Sequence, residues 1–178
     1  MGLFNRIKKG IKSNSTPAIE AVKVAEEPDG IYAPVPGRIV PLAEVSDPVF
    51  SSGGLGKGCG IEPDAEVVYS PVSGTVSALM ENSRHAVGLS GDNGVELLVH
   101  VGIDTVSMQG NGFEYFVSEG QHVVAGVPLM KFSAEKIKIA GHQKTVIVVV
   151  TNSDELKSVD MVSSEIVKAG DKVIEVSR

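Results

Sequence analysis

The sequence predicts an all-β fold: an antiparallel β-sandwich with an internal duplication and few short helical turns. Three observations carry this. Val- and Ile-rich runs of four to seven residues recur along the chain, each bounded by Gly, Pro, Asn or Asp. Helical periodicity is scarce beyond the first dozen residues. Two patterns also repeat. Ala33–Leu42 (APVPGRIVPL) echoes Ser70–Leu79 (SPVSGTVSAL) 37 positions on, and Val123–Leu129 (VVAGVPL) echoes Val167–Val173 (VKAGDKV) 44 positions on. The echoes interleave, and two copies are too few for a solenoid, so one closed, pseudo-symmetric unit fits better.

Taken in order, residues 1–12 (MGLFNRIKKGIK) read as an amphipathic segment. Leu3, Phe4, Ile7 and Ile11 share one side at helical spacing, and the bases face the other way. Such a segment could lie on an anionic membrane surface. The plainer reading is a frayed, solvated tail, because so short a helix is marginal in water and Gly10 weakens it. Residues 13–29 mix Ser, Pro and acids without periodicity and read as a flexible linker. The folded domain is expected over residues 30–178. Its clearest strands are Gly37–Leu42, Gly74–Leu79, Val95–Val101, Val127–Phe132 and Thr145–Thr151. Each Pro-x-x-Gly, at Pro34 to Gly37 and Pro71 to Gly74, suits a sharp entry into a strand. Ser153–Leu156 can open one short helical turn, and the chain returns to strand from Asp171.

Composition narrows the function. The 178 residues contain no run of 18 apolar residues and no signal-peptide pattern, and the single Cys59 rules out an internal disulfide. A cytoplasmic protein is expected, with residues 1–12 as the one candidate for peripheral membrane contact. The net charge of −6 is uneven. Arg6, Lys8, Lys9 and Lys12 give the first twelve residues +4, leaving −10 on the rest. An acidic body argues against nucleic-acid binding and suits a partner with a basic docking face.

The candidate chemistry centres on His100, in Val95-Glu96-Leu97-Leu98-Val99-His100-Val101-Gly102. Strand alternation puts Leu97, Val99 and Val101 on one face, and Glu96, Leu98 and His100 on the other. His100 beside Leu98 is then a reactive group on an outer, partly apolar surface. His85 lies fifteen positions upstream, and two histidines on neighbouring strands can form one site. Imidazole can act as general base, metal ligand or group-carrying nucleophile. No Gly-x-Ser-x-Gly elbow or supported Cys–His pair accompanies it. Two histidines without His-x-His fall short of a metal site. Carrying a phosphoryl group needs one oriented ring nitrogen and a neighbour for the phosphate charge. The plain alternative is a hydrogen-bonded structural histidine. His122 and His142, both in turn-like contexts, stay with that alternative, and Asp104 can be a simple turn residue.

Gly94–Val106 resembles the active-site sequence of the glucose-type EIIA family, phosphocarriers of the bacterial phosphoenolpyruvate-dependent sugar phosphotransferase system. The resemblance covers about residues 30–178. It includes Ala33–Gly37, Asp47–Phe50, Gly58–Pro63, Pro71–Thr75, His85-Ala86 and Glu119–Gln121. It implies a β-sandwich of the duplicated hybrid motif type, with His100 phosphorylated and His85 as its active-site partner. It also implies the phosphorylated histidine of HPr as donor and a cysteine of an EIIB domain as acceptor, with no cofactor and no metal. Ser83 stands where the family often has Thr and keeps the hydroxyl. Met80, Val87, Leu98 and Val101 replace aromatics that often surround the histidines, and only Phe50 remains of that set.

On that resemblance, one nitrogen of His100 attacks phosphorus in line while the other donates to a backbone carbonyl, with Gly102 the expected acceptor. His85, steadied by Ser83, hydrogen-bonds a phosphate oxygen. Val49, Phe50, Met80 and Leu98 form an apolar rim that docks partners, and Asp104 shapes the rim through its charge. Two rivals are a zinc peptidase on a related architecture, which lacks its His-x-x-x-Asp and His-x-His motifs here, and a non-catalytic regulator binding through the same face.

Overall fold

The computed structural model describes residues 18–162 and 165–178. Residues 1–12, expected as an amphipathic segment, and residues 13–17 of the expected linker lie outside them. The strands in chain order are β1 (Gly30–Tyr32), β2 (Gly37–Pro41), β3 (Lys57–Pro63), β4 (Val67–Tyr69), β5 (Gly74–Leu79), β6 (Ala86–Gly91) and β7 (Glu96–Val101). They continue with β8 (Phe113–Tyr115), β9 (His122–Val123), β10 (Pro128–Phe132), β11 (Val146–Val150), β12 (Ser158–Met161), β13 (Ile166–Val167) and β14 (Lys172–Ser177). Two short helices, α1 (Pro48–Ser51) and α2 (Ala134–Ile139), and single 3-10 turns such as Ser153–Glu155 complete the set. No helix among the described residues is long and apolar enough to cross a membrane.

The strands pair antiparallel into one eight-stranded sheet, β13-β2-β3-β11-β7-β6-β5-β9, and two three-stranded sheets, β1-β14-β12 and β4-β10-β8. Together they form a β-sandwich without a closed barrel. The duplication is explicit in this order. Exchanging β1, β2, β3, β11, β12, β13 and β14 for β4, β5, β6, β7, β8, β9 and β10 in turn reverses the large sheet onto itself and swaps the small ones. The repeated Pro-x-x-Gly marks equivalent strand starts. Gly37 pairs with Val167 as Gly74 pairs with Val123. A Cβ on Gly37 would fall 1.9 Å from the Glu62 carbonyl oxygen, and one on Gly74 2.3 Å from that of Ser90. Neither position has room for a side chain.

The main core fills the sandwich with aliphatic side chains from the inward faces, among them Cys59, Ile61, Val76, Val87, Leu89, Leu97, Val99, Val101, Val146, Val148 and Val150. Burying each Val or Leu is worth about 1.5–3 kcal/mol, which offsets the order imposed on the chain. A second, smaller cluster sits on the opposite face of the large sheet. It joins Val45, Phe50, Ile103, Ile147 and Val149, with Val40, Leu42 and Leu98 against them. Residues 18–29 hold no helix or strand but lie against the body. Val22 N donates to the Gly126 carbonyl at 2.9 Å, and Ser73 N to Glu26 at 3.3 Å.

Candidate functional site

His100 stands near the end of β7, between Ile147 of β11 and Ala86 of β6. The strand alternates as its sequence dictates: Leu97, Val99 and Val101 are buried inward, while Leu98 and His100 are half-buried on the other side. That other side is roofed rather than open. The roof is the segment from the 3-10 turn Leu42–Glu44 through α1. Asp47 caps α1, its carboxylate accepting from Val49 N at 2.9 Å, and Pro48 follows at the first helical position. This start fixes Phe50, which packs against His100 with ring centroids 4.9 Å apart and planes at 61°.

His85 closes the loop between β5 and β6. Its Nδ1 and the Ser83 hydroxyl lie 2.8 Å apart, and both residues are largely buried. Arg84, between them, takes a left-handed φ of 51°, and its N–H bonds back to the Met80 carbonyl at 2.7 Å. The His85 carbonyl accepts from Val101 N at 2.8 Å, which locks the residue to β7. The His85 and His100 rings meet edge to face, with centroids 4.7 Å apart and an interplanar angle of 84°.

Burial holds both imidazoles neutral. The His100 pKa is pushed down to about 4, by desolvation first and by the neighbouring His85 second, against the upward pull of the Gly102 carbonyl and of Asp47. Burial also lowers the His85 pKa. The Gly102 carbonyl is the backbone acceptor nearest in effect to the His100 ring, pulling its pKa upward as a hydrogen-bond acceptor does. His100 Nδ1 is buried and this contact falls short of full hydrogen-bond geometry. Gly102 also turns the chain out of β7. Its φ is 79°, its N–H donates to the Thr145 carbonyl at 2.8 Å, and a Cβ there would lie 2.3 Å from Thr105 Cγ2.

The other expected residues fall into distinct places. Val49 and Met80 are exposed, at 55% and 41%, and Leu98 is half-buried in the smaller cluster. Phe50 is 3% exposed and forms a wall of the site, so the expectation of a rim position is corrected by the roof that encloses it. Val87 and Val101 do not surround the histidines. They lie in the main core on the far face of the sheet. Asp104 is exposed at a left-handed φ of 57°, its carbonyl accepting from Ser107, and Val106 beyond it is 57% exposed. His122 pairs with Asp92 at 2.9 Å and His142 with Ser107 at 3.0 Å, both in exposed settings. Among the described residues no three His, Cys, Asp or Glu side chains gather as a metal site requires.

Two residues at the site have no role in the sequence reading, although Asp47 lies within the Asp47–Phe50 match. Asp47 raises the His100 pKa and starts the roof; Asp followed by Pro is an N-cap signal that could have flagged it. Tyr115 of β8 hydrogen-bonds both ends of the His85 loop, and no local pattern announces that.

The site is a pair of neutral, sheltered imidazoles under a roof of apolar side chains. The family model for the phosphoenolpyruvate-dependent sugar phosphotransferase system, EIIA 1, matches residues 29–156. The chain belongs to this EIIA family. It is 40% identical over 158 residues to the glucose-specific EIIA component of the phosphotransferase system of Staphylococcus aureus (strain COL), covering 87% of this chain and 93% of that protein. It is 41% identical over 167 residues to the raffinose carrier protein of Pediococcus pentosaceus, covering 93% of this chain but only 26% of the relative. The β-glucoside-specific EIIBCA component of Bacillus subtilis (strain 168) is 43% identical over 125 residues, covering 70% of this chain and 20% of that protein. Among solved structures, glucose permease IIA from Mycoplasma capricolum superposes with a TM-score of 0.73 at 38% identity, over 82% of this chain and 93% of that one. The chain is thus an EIIA component of phosphotransferase sugar transport, matching nearly the full length of a free-standing relative and a minor part of the larger ones.

Proposed function

We propose that this EIIA component is a cytoplasmic phosphocarrier that takes a phosphoryl group from the phosphorylated histidine of HPr onto His100 and passes it to the cysteine of an EIIB domain. The observation that carries the reading is the edge-to-face contact of His85 and His100, with centroids 4.7 Å apart and His100 held neutral. A neutral imidazole keeps a lone pair for attack at pH 7. Nδ1 is sequestered, so Nε2 is the nitrogen that meets phosphorus. With the proton on Nδ1, the Nε2 lone pair forms the new P–N bond as the donor's P–N bond breaks, and the donor nitrogen leaves with its electron pair. In the second step the EIIB thiolate forms a P–S bond and His100 recovers the pair from the breaking P–N bond.

Chemistry of this kind asks for position and charge stabilisation. Ser83 holds one nitrogen of His85, leaving its Nε2 to hydrogen-bond a phosphate oxygen. Phe50 keeps water from one side of the ring. A small turn of the phosphorylated ring brings Nδ1–H to the Gly102 carbonyl and gives it the partner it lacks. Val49, Met80, Leu98 and Asp104 are the surface partners would meet. The EIIBCA architecture of the Bacillus relative supports an EIIB acceptor.

The test is one incubation of the chain with phosphoenolpyruvate and the general phosphotransferase proteins, read by intact mass. One added phosphoryl group, lost on adding an EIIB domain, is the expected result. No change in mass would leave a binding protein that uses the same face.

A further inference from the structure

We propose that Tyr115 is a positioning residue for His85, its phenol oxygen serving as a clamp across the mouth of the loop that carries Ser83 and His85; this rests on the phosphocarrier reading above. The ladder between β5 and β6 ends at Leu79 opposite Val87. Beyond that pair β5 leaves the sheet while Ala86 stays in β6 against His100, so on the β5 side Met80 N–H and the Ala86 carbonyl lose the ladder partners they would have had. Unmet backbone groups at a half-buried site are costly. Tyr115 supplies both partners with one atom: Met80 N donates to Tyr115 Oη at 3.1 Å, and Tyr115 Oη donates to the Ala86 carbonyl.

The consequence is specific to the site. Everything between the two anchors is active-site loop, including left-handed Arg84, Ser83 and His85. On the far side, Val101 N fixes the His85 carbonyl to β7. His85 is therefore gripped from β7 through its own backbone and from β8 through the next residue's. Met80, exposed at the surface proposed for partners, shares the same phenol. A partner pressing on Met80 thus acts on the clamp that orients His85. The phenol remains a donor at all working pH values, since burial raises its pKa above the ordinary 10.

Tyr115→Phe removes the oxygen and keeps the ring. The expected result is full labelling of His100 from the donor but onward transfer slowed about tenfold, the scale of a small misplacement of a stabilising group. In the unphosphorylated variant the His85 ring resonances should move and those of His122 should not. Combining it with His85→Gln should add no further loss, because Tyr115 acts through His85. Unchanged transfer with unmoved His85 resonances, or additive losses in the double variant, would overturn the proposal. If Tyr115→Phe does not fold, amide exchange in the wild type decides: Met80 N–H must exchange at least tenfold more slowly than the exposed Glu81 N–H, and equal rates would sink the clamp. The resonance and exchange measurements need no phosphate, so they stand even if the phosphocarrier reading falls.

Discussion

Phe50 lies edge-on to His100, 4.9 Å between centroids, although fifty residues separate them in the chain. The contact ties a four-residue helix outside the sheet to the ring proposed to carry phosphate. It also explains how a histidine on the outer face of a strand comes to behave as a buried one. Replacing Phe50 with Ala should cost about 3–5 kcal/mol, because the side chain is almost fully enclosed in the smaller cluster. Opening the roof should also let the His100 pKa climb toward 6.5, which an NMR titration of the ring would record. A pKa still near 4 in that variant would mean that the sheet, rather than the roof, desolvates the ring.

Asp47 can be separated into a cap and a charge. Asp47→Asn keeps an oxygen for Val49 N and removes the negative charge, so the His100 pKa should fall further with little loss of stability. Asp47→Ala removes both and should cost about 1 kcal/mol in addition. Chemical denaturation alongside ring titration of the two variants would separate the roles, and identical behaviour would merge them.

His100→Ala should abolish phosphate uptake. His85→Gln should still accept phosphate, since acceptance needs the nucleophile, yet pass it on about 100-fold more slowly, as loss of an oxyanion donor does. Quenched-flow transfer from the labelled variant to an EIIB domain measures this. Equal loss in both steps would make His85 part of the acceptance machinery too.

Stability should fall as the medium is acidified through a defined window. The unfolded chain protonates His100 near 6.5 and the folded one near 4. Between those values the unfolded state binds the extra proton, so folding weakens as pH drops from 6.5 to about 4, and this group's effect levels off below. The loss is on the order of 3 kcal/mol, with His85 adding in the same direction. Urea melts of wild type and His100→Ala across that range should converge at low pH; parallel curves would contradict the burial of the ring.

The strands that sequence reasoning finds best are those with local marks. Gly74–Leu79 is found to the residue, and the Pro-x-x-Gly echo does mark equivalent strand starts, because both glycines face a neighbouring carbonyl. The alternation of β7 correctly sets His100 opposite the core. What alternation cannot say is whether an outer face meets water. Ile147 and Val149 of the wholly buried β11 hint at a covering, but a continuous apolar run does not say what covers it. Phe50 therefore reads as rim when it is wall. The Gly102 carbonyl does act on the His100 ring, but short of full hydrogen-bond geometry, since a strand end fixes where a carbonyl lies while side chains from remote elements set the ring orientation.

The interleaved duplication has a bearing on how the chain acquires its structure. β1 at Gly30–Tyr32 pairs with β14 at Lys172–Ser177, and β3 waits for β11. During synthesis the first unit stays incomplete while the whole of the second emerges, so the second unit can assemble first and serve as a template. Such long-range pairing makes for slow folding. The histidine pair belongs to that early unit, on β6, β7 and the loop before them, but its roof belongs to the late one. Nascent chains should therefore expose a solvated His100 until the last strands of the first unit close.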